Sequence, residues 1–529
     1  MHEAEIIELV LGLLVVVVLA VTVSRRLGIP YPILLVGLGI LIGLFPGMPQ
    51  VDLAPDLVFL LFLPPILFGA GFLTSVRDFR ANLRPILLLA VGLVLVTTLA
   101  VGVVMHSLLP SMGWAPAFAL GAIVSPPDAV AATSIAQRLG LPRRAVTVLE
   151  GESLVNDATA LVALRFAVAA ALTGVFSLSD AVVALSLVAA GGVLLGLAVG
   201  LAASWLLRRL NDPPVEVTVS MLLPFAAFLP AEELGVSGVL AVVSAGLLIG
   251  YRSPRIMSSE TRMLGSGAWQ MLLFLLNGLV FILIGLQLPS IMARLSEYAA
   301  AELVLYAAAV STTVVAVRIL WIFPATYLPR RWSASLRARD PSPPWRSVLV
   351  IGWTGMRGVV SLAAALSLPL TLPDGQAFPE RSLIIFLTFV VILVTLVGQG
   401  LTLPLLIRGL GVADDGGGDH EEAHAREAAV AAARGRIEAL AEEWPQHEEL
   451  IAQLRVQYGH RAEHLGDHHA AGPTGEPEQE LLDHRIIRRA VIDAEREAVI
   501  ALRDRGAISD EAMRRVERDL DLEELRLEA

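Results

Sequence analysis

The chain has 529 residues, of which 55% are apolar and only 17% charged, too little charge to cover a soluble protein of this size. It contains no cysteine and no lysine, all 39 basic residues being arginine; this excludes disulfides, thiolate metal sites, a Walker A ATPase and Schiff-base cofactors within the chain. The formal charge of −11 divides unevenly, with 24 Arg against 21 Asp and Glu in residues 1–411 and 15 against 29 in residues 412–529.

The composition predicts an all-α polytopic membrane domain, 1–411, followed by an acidic, mostly helical domain, 412–529, with a linker at 414–419. The N-terminus is acidic and lacks a basic n-region, so the first apolar run is expected to stay as a helix. Apolar runs fall at 6–24, 32–45, 56–73, 85–109, 115–136, 149–172, 178–207, 214–232, 236–250, 266–288, 299–325, 347–370 and 382–407. Thirteen transmembrane spans are therefore expected. The arginines give an independent check. Odd-numbered connections carry Arg25 and Arg26, then Arg77, Arg80 and Arg84, and so on to Arg330, Arg331, Arg337, Arg339 and Arg346. Even-numbered connections carry only Arg294 and Arg381. This alternation predicts an external N-terminus and a cytoplasmic C-terminus.

Thirteen spans read as two inverted six-helix repeats plus a connector, a plan common in secondary transporters. The fifth span of each half is interrupted: span 5 by Ser125-Pro126-Pro127-Asp128, span 12 by Gly352-Trp353-Thr354-Gly355-Met356-Arg357-Gly358. Paired broken helices point to a binding site. Consecutive prolines remove two backbone donors and free the carbonyls of Ala122 and Ile123, and an aspartate at membrane depth is costly unless it has a task.

Span 6 opens Glu150-Gly151-Glu152-Ser153-Leu154-Val155-Asn156-Asp157. Ser153 and Asp157 share one helical face, and Glu152 and Asn156 form the adjoining pair. Ser153 and Asp157, with Asp128 and the freed carbonyls opposite, make an oxygen cage suited to a hard monovalent cation. A carboxylate in low dielectric also takes a proton readily when the cation leaves, so one site serves both ions. A structural ion pair is expected between Glu152 and Arg357. Arg318 is assigned to helix ends or to carbonyls freed by a break, Arg165 to snorkelling toward the external side, and His106 to the interface.

At these residues the sequence resembles the electroneutral sodium/proton exchanger branch of the monovalent cation/proton antiporters. The matching phrases are Leu63-Pro64-Pro65-Ile66-Leu67-Phe68, Ser125-Pro126-Pro127-Asp128-Ala129-Val130, Glu152-Ser153-Leu154-Val155-Asn156-Asp157 and Gly355-Met356-Arg357-Gly358. They extend over the whole membrane domain. The tail, with Ile508-Ser509-Asp510-Glu511, looks like that of a bacterial subgroup.

The resemblance implies a transporter and not an enzyme: a thirteen-helix homodimer in the bacterial inner membrane, working by an elevator-like movement, with no cofactor beyond the transported Na⁺ and H⁺. Its cation site falls here on Asp128, Ser153 and Asp157 with the main-chain oxygen of Pro127, and its ion pair on Glu152 and Arg357. Asn156 matches the electroneutral branch. Two positions depart from the family pattern: Gly69, where many relatives have an acidic residue, and Pro127, where many have threonine. Cargo selectivity among Na⁺, Li⁺ and K⁺ stays open.

The tail holds eight of the ten histidines. Helical composition at 420–465 and 480–528 is separated by a Gly/Pro-containing stretch, 466–479. His460 and His464, at i and i+4, suit a metal or a pH sensor, or else a solvated helix face. A regulatory ligand of this domain is not readable. A tail-gated cation channel and an ion sensor are the competing classes. The chain shows no repeated filter segment and no recognisable output domain. Nothing points to nucleic acid.

Overall fold

A computed structural model describes residues 3–45, 55–174, 177–295, 298–373, 375–412, 417–470 and 489–502, with residues 505, 513, 516 and 519–524 beyond them. Residues 414–416 of the expected linker, the tail stretch 471–488 and the phrase 508–511 lie outside the described residues. Contacts divide the chain into two units, Met1–Asp415 and Gly416–Ala529.

Nine helices among the described residues are long and apolar enough to cross a membrane: Glu8–Leu27, Leu83–Leu108, Arg143–Thr173, Ala181–Leu207, Pro213–Glu233, Gly238–Ile256, Ser259–Met292, Ala300–Trp332 and Arg381–Leu410. Three shorter apolar helices, Tyr31–Gly43, Val58–Leu73 and Trp114–Val124, lie among them. Many large apolar side chains point outward, including Val182, Val183, Leu187, Leu194 and Trp205 on one helix. In water such a surface would drive aggregation, whereas against acyl chains it is the surface a membrane protein needs.

Hydrocarbon gives apolar helices little reason to associate, so close packing relies on small residues. On Ala181–Leu207, Gly192, Gly196 and Gly200 recur every four residues against Gly238–Ile256 and the residue before it. A Cβ on Gly192 would sit 2.5 Å from the carbonyl oxygen of Ser237, and one on Gly200 2.9 Å from the Leu248 side chain. Buried side chains gather mainly in two clusters. One joins Phe68, Ala227, Val242 and Trp269; the other joins Leu35, Leu120, Phe281, Leu362 and Phe389. The Arg143–Thr173 helix serves both, with Leu154 and Ala158 in the first and Leu164 and Ala167 in the second.

Two helical rods stop and restart inside the bundle. Trp114–Val124 ends before Ser125-Pro126-Pro127-Asp128, and Ala129–Arg138 follows. Trp345–Trp353 ends before Thr354-Gly355-Met356-Arg357-Gly358, and Val359–Leu366 follows. Prolines cause the first stop by withholding amide donors, and two glycines favour the second.

The second unit contains the helices Gly417–Glu443 and Glu448–Ala470, joined through a tight turn at Pro445–His447. Arg455 spans the hairpin to Glu438 with two bonds, 2.6 and 3.0 Å. His460 lies on the second of these helices.

Candidate functional site

The two interrupted segments meet. The Asp128 amide donates to the Met356 carbonyl at 2.7 Å, so each break answers a backbone group exposed by the other. Asp128 also caps the helix that restarts after it: its Oδ1 accepts from the Val130 amide at 2.8 Å. A carboxylate there satisfies one orphan donor and sits at the positive end of the helix dipole. Gly358 packs directly on the Asp128 side chain, so that a Cβ at 358 would lie 2.7 Å from the carboxylate carbon.

The stop at Val124 leaves carbonyls at the negative end of the preceding helix. Ser125 Oγ donates to Ala122 O at 2.9 Å. Arg357 donates through Nε to Val124 O at 3.0 Å, through Nη2 to Ser125 O at 3.5 Å and through Nη1 to Gly355 O. Its own amide donates to Thr395 Oγ1 at 3.1 Å.

The expected Glu152–Arg357 pair is therefore corrected: Glu152 is held by Arg318. Two parallel bonds, 2.5 and 2.8 Å, join the guanidinium and the carboxylate, and neither side chain is more than 1% exposed. Arg318 Nη2 also reaches Ile351 O at 3.3 Å. The two arginines have exchanged the roles assigned from sequence. The reason is geometric. A five-donor fork suits several carbonyls converging on a helix end, and Arg357 lies inside the break, whereas Arg318 approaches Glu152 along a continuous helix, Ala300–Trp332.

A cavity of about 330 Å³ lies between the two apolar clusters. Its lining includes Pro127, Asp128, Ser153, Asp157 and Gly358. Asp157 is 6% exposed, and Asn156, on the adjoining face, is fully buried. The Asn156 amide donates to the Pro127 carbonyl at 2.8 Å, which uses one of that oxygen's two lone pairs and leaves one for a ligand. Glu152 does not line this cavity, but Glu150 and Asn277 do. Sequence reasoning left both without a role. Glu150, Ser153, Leu154 and Asp157 fall at i, i+3, i+4 and i+7, one stripe of the helix, so Glu150 was readable from spacing; the sequence signal for Asn277 is no more than a lone amide in an apolar run. The cavity runs past Leu73 and Thr74, toward the arginine-bearing ends of the helices.

Gly69 faces away from this chemistry. A Cβ there would meet Leu273 and Trp269 at 2.9–3.0 Å, an apolar contact with no room for a carboxylate. Arg165 pairs with Glu232 at 2.7 Å, and His106 stacks on Trp114 with ring centroids 4.0 Å apart. No group of three His, Asp or Glu side chains among the described residues is arranged to hold a metal ion. The cavity's oxygen donors are of mixed kinds: carboxylate, hydroxyl and main-chain carbonyl.

Comparison with known proteins gives one answer at the level of family. The family described as sodium/hydrogen exchanger, transmembrane, matches residues 13–409. A chain of Mycobacterium bovis named as an uncharacterised Na⁺/H⁺ exchanger is 37% identical over 529 residues, covering 98% of this chain and 97% of the relative. A sodium, potassium, lithium and rubidium/H⁺ antiporter of Bacillus pumilus is 40% identical over 389 residues, covering 72% of this chain and 58% of the relative. The solved structure of the sodium proton antiporter MjNhaP1 from Methanocaldococcus jannaschii overlays with a TM-score of 0.61 at 21% identity, covering 78% of this chain and 99% of that one.

Proposed function

The chain belongs to the transmembrane sodium/hydrogen exchanger family, and on that premise we propose that it exchanges Na⁺ for H⁺ across the bacterial plasma membrane. The observation that carries this reading is the shared cavity: Asp128, Ser153 and Asp157 line it together, while Asn156 pins the Pro127 carbonyl at its edge. In this reading Na⁺ is held by the two carboxylates, the Ser153 hydroxyl and the free lone pair of Pro127 O. When Na⁺ leaves, Asp157 takes a proton. Asp128 keeps its charge against the helix N-terminus that it caps. Glu152 is neutralised by Arg318 and takes no part in exchange.

Asn156 cannot carry a proton, so one proton moves against one monovalent cation and no net charge crosses. Thirteen spans form two inverted six-helix repeats plus a connector in this reading, with broken helices 5 and 12. The arginine-bearing ends and the C-terminus face the cytoplasm. A homodimer carries the site across by elevator-type alternating access, and residues 412–529 form a cytoplasmic domain. K⁺ is the alternative cargo, because the Bacillus pumilus relative is named for four cations.

Purified protein in proteoliposomes tests the reading. Internal pH is recorded as Na⁺, Li⁺ and K⁺ are added in turn. A K⁺/valinomycin potential is then imposed with the pH and Na⁺ gradients at balance. Cation-driven proton movement that ignores the potential supports the proposal; voltage-driven proton flux through the protein refutes one-for-one exchange.

A further inference from the structure

A second cluster of charge lies at the arginine-bearing end of the membrane unit, away from the exchange cavity. Three guanidiniums converge there on one carboxylate. Asp340 Oδ1 accepts from Arg144 Nη2 at 2.7 Å, and Oδ2 accepts from Arg330 Nη2 at 2.8 Å and Arg84 Nη2 at 3.3 Å. Arg330 Nε also donates to the Asp340 carbonyl at 3.1 Å, and Arg144 Nε to Asn82 Oδ1 at 3.0 Å. The cluster ties together the first turns of Leu83–Leu108 and Arg143–Thr173, the last turn of Ala300–Trp332 and the connection before Trp345–Trp353.

Among the described residues the charges do not balance: three cations face one anion, and Arg330 is only 3% exposed. Arg84 and Arg144 are partly exposed, at 28% and 45% of their side chains, but guanidiniums crowded on a buried third still repel unless an anion joins them. Arg84 records the deficit directly, because its Nε and Nη1 are buried and have no hydrogen-bond partner. Such orphaned donors are rare in folded proteins and call for a ligand. A cavity of about 360 Å³ opens beside them, within the range of small-molecule sites. Arg84, Arg144 and Arg330 line it, with walls from Leu89, Ile322 and Val348.

Helix ends add to the field. Pro142 and Pro344, both in the lining, precede Arg143–Thr173 and Trp345–Trp353, and neither of these helices has a side-chain cap at its N-terminus. No side chain shields the positive end of either helix dipole, although Ala145 and Val348 already donate their amides to the Pro142 and Pro344 carbonyls. Asp340 is already shared among the three arginines. Burial works against its ionised form, but the hydrogen bonds and charges of Arg144 and Arg330 outweigh that and hold the carboxyl below its ordinary range. It therefore remains a single negative charge against three positive ones.

We propose that this cavity binds a phosphate group, with Arg84, Arg144 and Arg330 on its oxygens. Arginine suits phosphate through its fork of donors. A basic pocket between helices at the end of a membrane bundle, with apolar walls, is where the headgroup of an anionic phospholipid would sit; a soluble phosphate compound is the other source of the same chemistry. The proposal stands apart from the exchange reading, since none of these residues lines the exchange cavity.

The test uses the full-length protein in an uncharged detergent, with Na⁺ and ionic strength held constant. Thermal unfolding is followed while dioctanoyl phosphatidylglycerol or inorganic phosphate is titrated. A saturable rise in Tm is expected, and Arg84→Gln should raise the half-saturating concentration at least tenfold. Asp340→Asn removes the competing carboxylate and should lower that concentration. Saturation by the lipid alone assigns the site to a headgroup, and saturation by inorganic phosphate as well assigns it to a soluble phosphate. No saturable rise with either probe overturns the proposal. So does an unchanged response in both Arg84→Gln and Asp340→Asn, or an equal loss in Arg209→Gln, an arginine stacked on Trp205 elsewhere.

Discussion

Replacing either member of the Glu152–Arg318 pair leaves a buried charge without its partner, at a cost of about 3–5 kcal/mol. The pair is bidentate and at most 1% exposed, so water cannot take the missing place. The two single variants should differ. Arg357 lies within electrostatic reach of both Glu152 and Arg318. In Arg318→Met the carboxylate keeps a nearby cation, which puts the loss at the lower end. In Glu152→Met two buried guanidiniums remain with no carboxylate between them, which puts it at the upper end. The unit Met1–Asp415 has an unfolding entropy of about 0.9 kcal/mol/K at ~2.1 cal/mol/K per residue, so these losses translate to a Tm lower by roughly 3–6 °C. The double variant replaces an ion pair by two apolar side chains of similar length, a change often near neutral. It should therefore melt above Glu152→Met. Tryptophan fluorescence of the detergent-solubilised protein measures all four Tm values. A double variant that loses the sum of the two single losses would refute the pairing, as would coupling of Glu152 to Arg357 stronger than to Arg318.

Asp157→Asn is expected to abolish exchange in proteoliposomes while leaving Tm within a few degrees of wild type; measurable exchange would remove Asp157 from the titrating role. Gly358→Ala drives a methyl into Asp128 Oδ2 and to 2.7 Å from the carboxylate carbon, which should turn the carboxylate aside, cost about 1–3 kcal/mol and raise the Na⁺ concentration for half-maximal exchange several-fold. Wild-type affinity in that variant would show that the 358 backbone yields instead. Asp340 is held below its ordinary value of about 3.9, so its stabilising contribution is complete above that pH and is lost as pH falls through the lower folded value. The Tm gap between wild type and Asp340→Asn should thus stay constant from pH 8 to 5 and shrink below about pH 4; a gap that closes between pH 7 and 5 contradicts this.

Much of this molecule is written in local sequence. Composition alone specifies a membrane protein, because long apolar helices with outward Val, Leu and Trp have no other stable environment. The interruptions at 125–128 and 354–358 follow from proline and glycine chemistry, which acts within a few residues. The stripe of Glu150, Ser153 and Asp157 follows from helical periodicity, and its convergence with Asp128 was foreseeable because paired polar breaks in a membrane must answer one another.

Partner choice between distant charges was not readable. Glu152, Arg318 and Arg357 lie on three different segments, and sequence order says nothing of which guanidinium reaches a carboxylate and which reaches a helix end. The carbonyls of Val124 and Ser125 decide it: once the first break is folded they take Arg357, and Glu152 is left to Arg318. Likewise Arg84, Arg144 and Arg330 count along the chain only toward the arginine bias of the odd-numbered connections, and Asp340 carries no signal of its own. Only the packing of helix ends brings them together, buries Arg330 and leaves two Arg84 donors without an acceptor among the described residues. Local chemistry determines where the chain bends and which faces are polar; the three-dimensional meeting of those faces determines which charges compensate one another, because electrostatic pairing depends on distance in space and on exclusion of water, and a linear sequence carries neither.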